Sequence, residues 1–107
     1  MMACKLKDLD GNLATTADQT PVANWPFYLR IAGVRQEPGK LTGSDGCAIW
    51  SDLPLGQAYG LEEDTGGWTA LTPTSIDFGT LSAGQFNSYT FINKEISSTY
   101  LPIVQRK

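Results

Sequence analysis

The sequence predicts an all-β fold of about seven short strands. Three observations carry this. No stretch of ten or more residues keeps a 3.6-residue apolar period. Turn formers recur every 8–12 residues, with 11 Gly and 6 Pro in 107 residues. Between them lie 11 Thr and 11 aromatic residues, which suit a pleated, half-buried surface.

The elements follow in order. Ala3–Lys7 is the first strand, and the polar stretch Asp8–Thr20 is too poor in apolar residues for a core strand, so it reads as a long loop. Pro21 and Pro26 bracket the entry to a strand over Phe27–Gly33, and Gln36-Glu37-Pro38-Gly39 is a turn. Lys40–Thr42 is a short edge strand ended by Gly43-Ser44-Asp45-Gly46. Cys47–Asp52 is closed by Leu53-Pro54-Leu55-Gly56, and Gln57–Glu63 by Gly66-Gly67. Thr69–Thr74 is extended, with Pro73 confining it to an edge. Ser75–Leu81 and Asn87–Lys94 complete the set. This spacing fits a β-sandwich of immunoglobulin-like size. Residues 3–94 form the single domain, and 95–107 a C-terminal tail, apolar at Tyr100, Leu101, Ile103 and Val104. The tail is read as an eighth strand or strap on its own domain, or as a strand lent to an identical subunit.

Period-two alternation places Tyr59, Leu61 and Glu63 on one face, and Tyr89, Phe91 and Asn93 on one face of the last strand. Both runs end on a polar residue where another inward side chain is due. They either reach solvent at the rim or form a buried polar pair.

Composition narrows function. Net charge is −3 and the pI is about 4.7, a poor match to nucleic acid. The chain has no histidine, which removes the commonest general base and transition-metal ligand and argues against most enzymes. No apolar run is long enough for a membrane span. Met1-Met2-Ala3 runs into Cys4-Lys5-Leu6-Lys7 without an apolar leader, so the chain is either cytosolic or cut from a leader or a larger parent. Cys4 and Cys47 lack metal or redox spacing and are one disulfide or two free thiols.

The segment Gly46-Cys47-Ala48-Ile49-Trp50-Ser51-Asp52-Leu53-Pro54-Leu55-Gly56, followed by Tyr59-x-Leu61-x-Glu63, Gly67-Trp68 and Phe91-x-Asn93, resembles the Cna-B-like domains of bacterial surface proteins, particularly their SD-repeat B-type relatives. Lys7-Asp8-Leu9-Asp10-Gly11-Asn12 is similar to the opening of those domains, and Ala23-Asn24-Trp25-Pro26-Phe27 lies where their second strand begins. The resemblance spans residues 4 to 94 in order. It implies a prealbumin-like β-sandwich acting as a rigid stalk, spacer or fibre module of an exported cell-surface protein, joined to neighbouring domains or identical subunits. It implies no enzymatic turnover.

Some members of that family carry a self-formed Lys–Asn isopeptide bond promoted by a buried acid. By position, Glu63 matches the acid and Asn93 the Asn. Leu6 stands just before the Asp turn, where a Lys is often found, and Lys5 is a better candidate than Lys7 because it lies deeper in the strand. The residues alone favour a plainer arrangement, with Lys5 and Lys7 facing solvent and Glu63–Asn93 hydrogen-bonded. The resemblance to exported proteins favours a Cys4–Cys47 disulfide, closing a loop of about 44 residues for roughly 4 kcal/mol.

Asp8, Asp10 and Asn12 imitate the start of a calcium loop, with Asp18 in place of the missing bidentate acid. The favoured reading is a turn in which Asp and Asn cap their own backbone, with no cofactor. Trp25 and Trp68 are candidate ligand contacts for the runner-up function, a carbohydrate- or host-protein-binding adhesin module, since sugar rings stack on exposed indole faces. Nothing in their spacing places them on one face, so core and rim packing is the plainer reading.

Overall fold

The structure, a computed structural model, describes residues 1–95. The tail expected over residues 95–107, as strap or donated strand, therefore lies outside the described residues beyond Glu95. Among the described residues there is no helix, and none long and apolar enough to cross a membrane. Ten short strands build two five-stranded sheets that enclose one β-sandwich-like core.

The first sheet is organised by β1 (Met2–Asp8) and β10 (Ser88–Lys94), which run parallel side by side. The other edge of β1 is shared. β6 (Cys47–Ile49) pairs with its first half, and β2 (Gln19–Pro21) with its second. β8 (Thr69–Ala70) flanks β10. In the second sheet β3 (Pro26–Ile31) pairs with β7 (Ala58–Glu63), and β7 with β9 (Ser75–Thr80). β5 (Lys40–Leu41) and β4 (Val34–Arg35) cover the free edge of β3.

Ten strands replace the expected seven for local reasons. The strand expected over 27–33 stops at Ile31, where a two-residue hairpin at Ala32-Gly33, both at positive φ (51° and 80°), turns the chain back into β4. That turn matches the twist of its strands, but alanine is an unusual residue for it. Gln19–Pro21, expected within a loop, pairs with Leu6–Asp8 because the Asp8 carboxylate accepts from the Gln19 side-chain amide at 3.0 Å. The strand expected over 47–52 stops at Ile49, and that over 69–74 stops at Ala70.

The core forms where alternations from the two sheets meet. Phe27, Leu29, Tyr59 and Leu61 point in from the second sheet, and Ala3 and Phe91 from the first. Phe27 and Phe91 touch across the gap with ring centroids 4.8 Å apart, and Tyr89 meets Phe91 edge-on. Such pairs contribute beyond the area they bury. One end of this apolar core carries three polar side chains, Lys5, Glu63 and Asn93.

Candidate functional site: a buried Lys–Glu–Asn cluster

The site is built by register. Lys5 is paired with Phe91 on β10, so Asn93, two residues further, lies on the same face of the sheet. Glu63 ends β7 opposite Phe27 and reaches in from the other sheet. The three side chains converge in the dry interior. Lys5 and Asn93 are 0% exposed and Glu63 is 3% exposed. The expectation that Lys5 faces solvent is thus corrected, whereas Lys7 does lie near the surface, 3.4 Å from Glu95. Lys5 turns inward because the register of β1 against β10 puts it on the face shared with Ala3, Phe91 and Asn93.

Glu63 Oε1 is the hub. It accepts from Lys5 Nζ at 3.0 Å, from Trp25 Nε1 at 3.2 Å and from Asn93 Nδ2 at 3.3 Å. Glu63 Oε2 and Asn93 Oδ1 are buried without a hydrogen-bond partner among the described residues. Orphaned buried polar atoms are expensive and call for an explanation. Burial lowers the Lys5 pKa from its ordinary value of 10.5, although the charge and hydrogen bond of Glu63 partly oppose this.

Two indoles roof the cluster. Trp25 lies 4.4 Å from Lys5 Nζ and Trp68 5.8 Å, measured to the ring centroids, and the indoles pack on each other at 4.8 Å. Thr42 fixes Trp25. The Trp25 backbone N–H donates to Thr42 Oγ1 at 2.9 Å, and the Thr42 hydroxyl donates to the Val22 carbonyl at 2.6 Å. Trp68 is delivered by the turn at Gly66 and Gly67, both at positive φ. The indoles named as ligand contacts therefore face one another and the buried amine, excluding water. Their convergence was invisible to sequence periodicity because each sits in a loop.

Lys5 is gripped through its backbone as well. Its N–H donates to the Gly46 carbonyl at 2.7 Å, and its carbonyl accepts from Val22 N–H at 3.1 Å. Gly46 has φ +82°, and a Cβ there would lie 2.8 Å from the Lys5 carbonyl oxygen. Next to this grip, Cys4 and Cys47 face each other across β1 and β6 and are joined as a disulfide.

The calcium-loop residues form nested turns. Asp8, fully buried, accepts from Asp10 and Gly11 backbone N–H groups through Oδ1 and from Gln19 through Oδ2. Asp10 accepts from Asn12 N–H, Asn12 from Ala14 N–H, and Asp18 from Asp10 N–H. Oxygens of Asp8, Asp10 and Asp18 lie within 4.8 Å of one another. These could contact a hard cation: Asp8 Oδ1, Asp10 Oδ1 and Asp18 Oδ2 cap backbone N–H groups, while Asp18 Oδ1 is buried without a hydrogen-bond partner among the described residues. At the opposite pole an open groove of about 290 Å³ is lined by Met1, Trp50, Leu53, Leu81 and Phe86, among others.

Comparison with family models, characterised proteins and solved structures finds no match to this chain.

The lowered Lys5 pKa has a testable sign. The unfolded chain binds more protons than the folded one between the lowered folded value and 10.5, so stability rises with pH across that window. Asn93→Ala keeps the Lys5–Glu63 pair. Chemical denaturation of this variant is expected to show stability rising relative to Lys5→Met/Asn93→Ala as pH increases toward 10.5. A pH-independent difference between the two would contradict the buried position of the ammonium.

Proposed function

We propose that this chain is a non-enzymatic structural module of an exported bacterial surface protein, Cna-B-like in its prealbumin-type sandwich, that locks its first and last strands with an amide bond between Lys5 and Asn93. The observation that carries the reading is the convergence of Lys5, Glu63 and Asn93 in one water-excluded cluster with a shared oxygen.

The chemistry follows from the contacts. Lys5 Nζ gives a proton to Glu63 Oε1, and the neutral amine attacks Asn93 Cγ. The protonated acid polarises the Asn93 carbonyl as charge develops on its oxygen. The Nζ–Cγ bond forms, the Cγ–Nδ2 bond breaks, and the second amine proton passes through Glu63 to the leaving nitrogen, which departs as ammonia. The reaction runs once per chain. It removes the ammonium and relieves the crowded oxygen. The disulfide supports an oxidising destination outside the cytosol.

Topology gives the bond its use. β1 and β10 are parallel neighbours, so tension between the N-terminal side of β1 and the C-terminal side of β10 shears the pair along its length. An amide from Lys5 to Asn93 carries that tension straight from one strand to the other.

Intact mass decides the matter. Wild type is expected about 17 Da below its sequence mass from ammonia loss, after a further deficit of about 2 Da for the disulfide is removed by reductant. Lys5→Ala, Glu63→Ala and Asn93→Ala are expected at full mass once reduced. A reduced wild type at full mass would overturn the amide. The second reading, a binding module for carbohydrate or a host protein, is favoured by the open groove beside Trp50 and Phe86, lined by apolar and polar side chains alike. Its roughly 290 Å³ is at the lower limit of small-ligand sites.

A further inference from the structure

We propose that the Cys4–Cys47 disulfide is the positioning device for the Lys5–Asn93 reaction, so that oxidation of the chain sets when the amide forms. This rests on the amide reading above and adds its regulation.

The first observation is adjacency. Cys4 and Lys5 are consecutive on β1, and Gly46 and Cys47 are consecutive at the start of β6. The disulfide joins Cys4 to Cys47, and the Lys5 N–H bonds the Gly46 carbonyl at 2.7 Å. Two successive residues of β1 are thus clamped to two successive residues of its neighbour, at the point where the nucleophile leaves the backbone. The Lys5 side chain points into the core, and the covalent bond is one residue away.

The second observation is the cost of docking β1 before the reaction. Docking takes the Lys5 ammonium out of water and places it against an oxygen already shared with Trp25 and Asn93. It also buries Glu63 Oε2 and Asn93 Oδ1 without partners among the described residues. These penalties fall on the unreacted state and end when the amide forms. Seating β1 therefore carries a penalty in the unreacted chain, although the reaction needs it seated.

The third observation is register. A slip of β1 by one residue turns Lys5 to the opposite face of the sheet and puts Cys4 or Leu6 in its place. β10 pairs with Met2–Asp8 and Val22 N–H bonds the Lys5 carbonyl, but these are reversible hydrogen bonds. The disulfide at Cys4 makes the register covalent. Misplacement of a reacting atom by about 1 Å can cost about 100-fold in rate, so pinning the neighbouring residue acts directly on the reaction.

The order of events follows. A disulfide oxidant takes two electrons and two protons from the Cys4 and Cys47 thiols and is itself reduced to two thiols. β1 is then held in register, Lys5 attacks Asn93, and ammonia leaves. Under reducing conditions the unpinned strand reacts slowly, and the chain stays open for export in an extended form.

The test uses full-length chain made by cell-free synthesis in reductant and divided in two, one half exposed to oxidised glutathione. The loss of about 17 Da is followed by intact mass over time, with all samples reduced just before measurement. Each rate is divided by the folded fraction from near-ultraviolet circular dichroism. Cys4→Val/Cys47→Val, which keeps an apolar cross-strand pair, is treated in the same way. The oxidised wild type is expected to react at least about tenfold faster per folded molecule than the reduced wild type. The double variant is expected to be slow with or without glutathione. Equal rates per folded molecule in oxidised and reduced wild type would overturn the positioning role and leave the amide standing. Absence of ammonia loss even in the oxidised wild type would overturn the amide reading, and this proposal with it.

Discussion

Asn93→Ala is expected to lower the melting temperature by about 15–25 °C. In the unfolded chain the disulfide already joins Cys4 to Cys47, so the additional loop closed by the amide runs in effect from Cys47 to Asn93. A loop of that size corresponds to about 4 kcal/mol in the chain-entropy description. Glu63→Ala is expected to give a similar loss for a different reason. Lys5 and Asn93 remain, but the proton carrier is gone, so the amide does not form and the ammonium is left buried without its counter-charge. Thermal denaturation followed by circular dichroism checks both. A wild type and an Asn93→Ala variant melting within a few degrees of each other would mean that the strands are not covalently joined.

The second large effect is mechanical. When the chain is pulled from its ends, wild type is expected to show no unfolding step for the segment between Lys5 and Asn93, because tension passes through the amide. Reduced Lys5→Ala is expected to release that whole segment, about 300 Å of extended chain. The same variant with its disulfide intact is expected to release only about half of it, since the loop from Cys4 to Cys47 stays closed. Single-molecule force spectroscopy reads the three lengths directly. A wild-type step of full length would remove the mechanical role.

The two acceptor-side members of the site were legible in the sequence, and the nucleophile's direction was not. Tyr59-x-Leu61-x-Glu63 and Tyr89-x-Phe91-x-Asn93 each continue an apolar alternation onto a polar residue, and both polar residues are buried as the alternation requires. In Ala3-Cys4-Lys5-Leu6-Lys7 the more apolar face is Cys4 and Leu6, which argues for an outward Lys5. The structure reverses this, with Ala3 and Lys5 fully buried and Cys4 and Leu6 half-buried. What decides the face is the register of β1 against its parallel neighbour β10, a long-range fact that a five-residue pattern does not carry. The roof was hidden for a similar reason. Trp25 and Trp68 sit in loops without periodicity, and they meet only because Thr42 anchors one loop and a Gly-Gly turn redirects the other. The short strands β2 and β4 depend on single local devices, the Asp8–Gln19 side-chain contact and the Ala32-Gly33 turn.

Peptide mapping tests the covalent link between β1 and β10 most directly. After reduction and alkylation, tryptic digestion of wild type is expected to yield one branched species. It joins residues 1–7, left uncut at an acylated Lys5, to residues 41–94, at the sum of their masses less about 17 Da for ammonia. Its fragmentation should place the junction between Lys5 and Asn93. Recovery instead of residues 1–5, cut after a free Lys5, together with linear 41–94 at full mass, would contradict the cross-link.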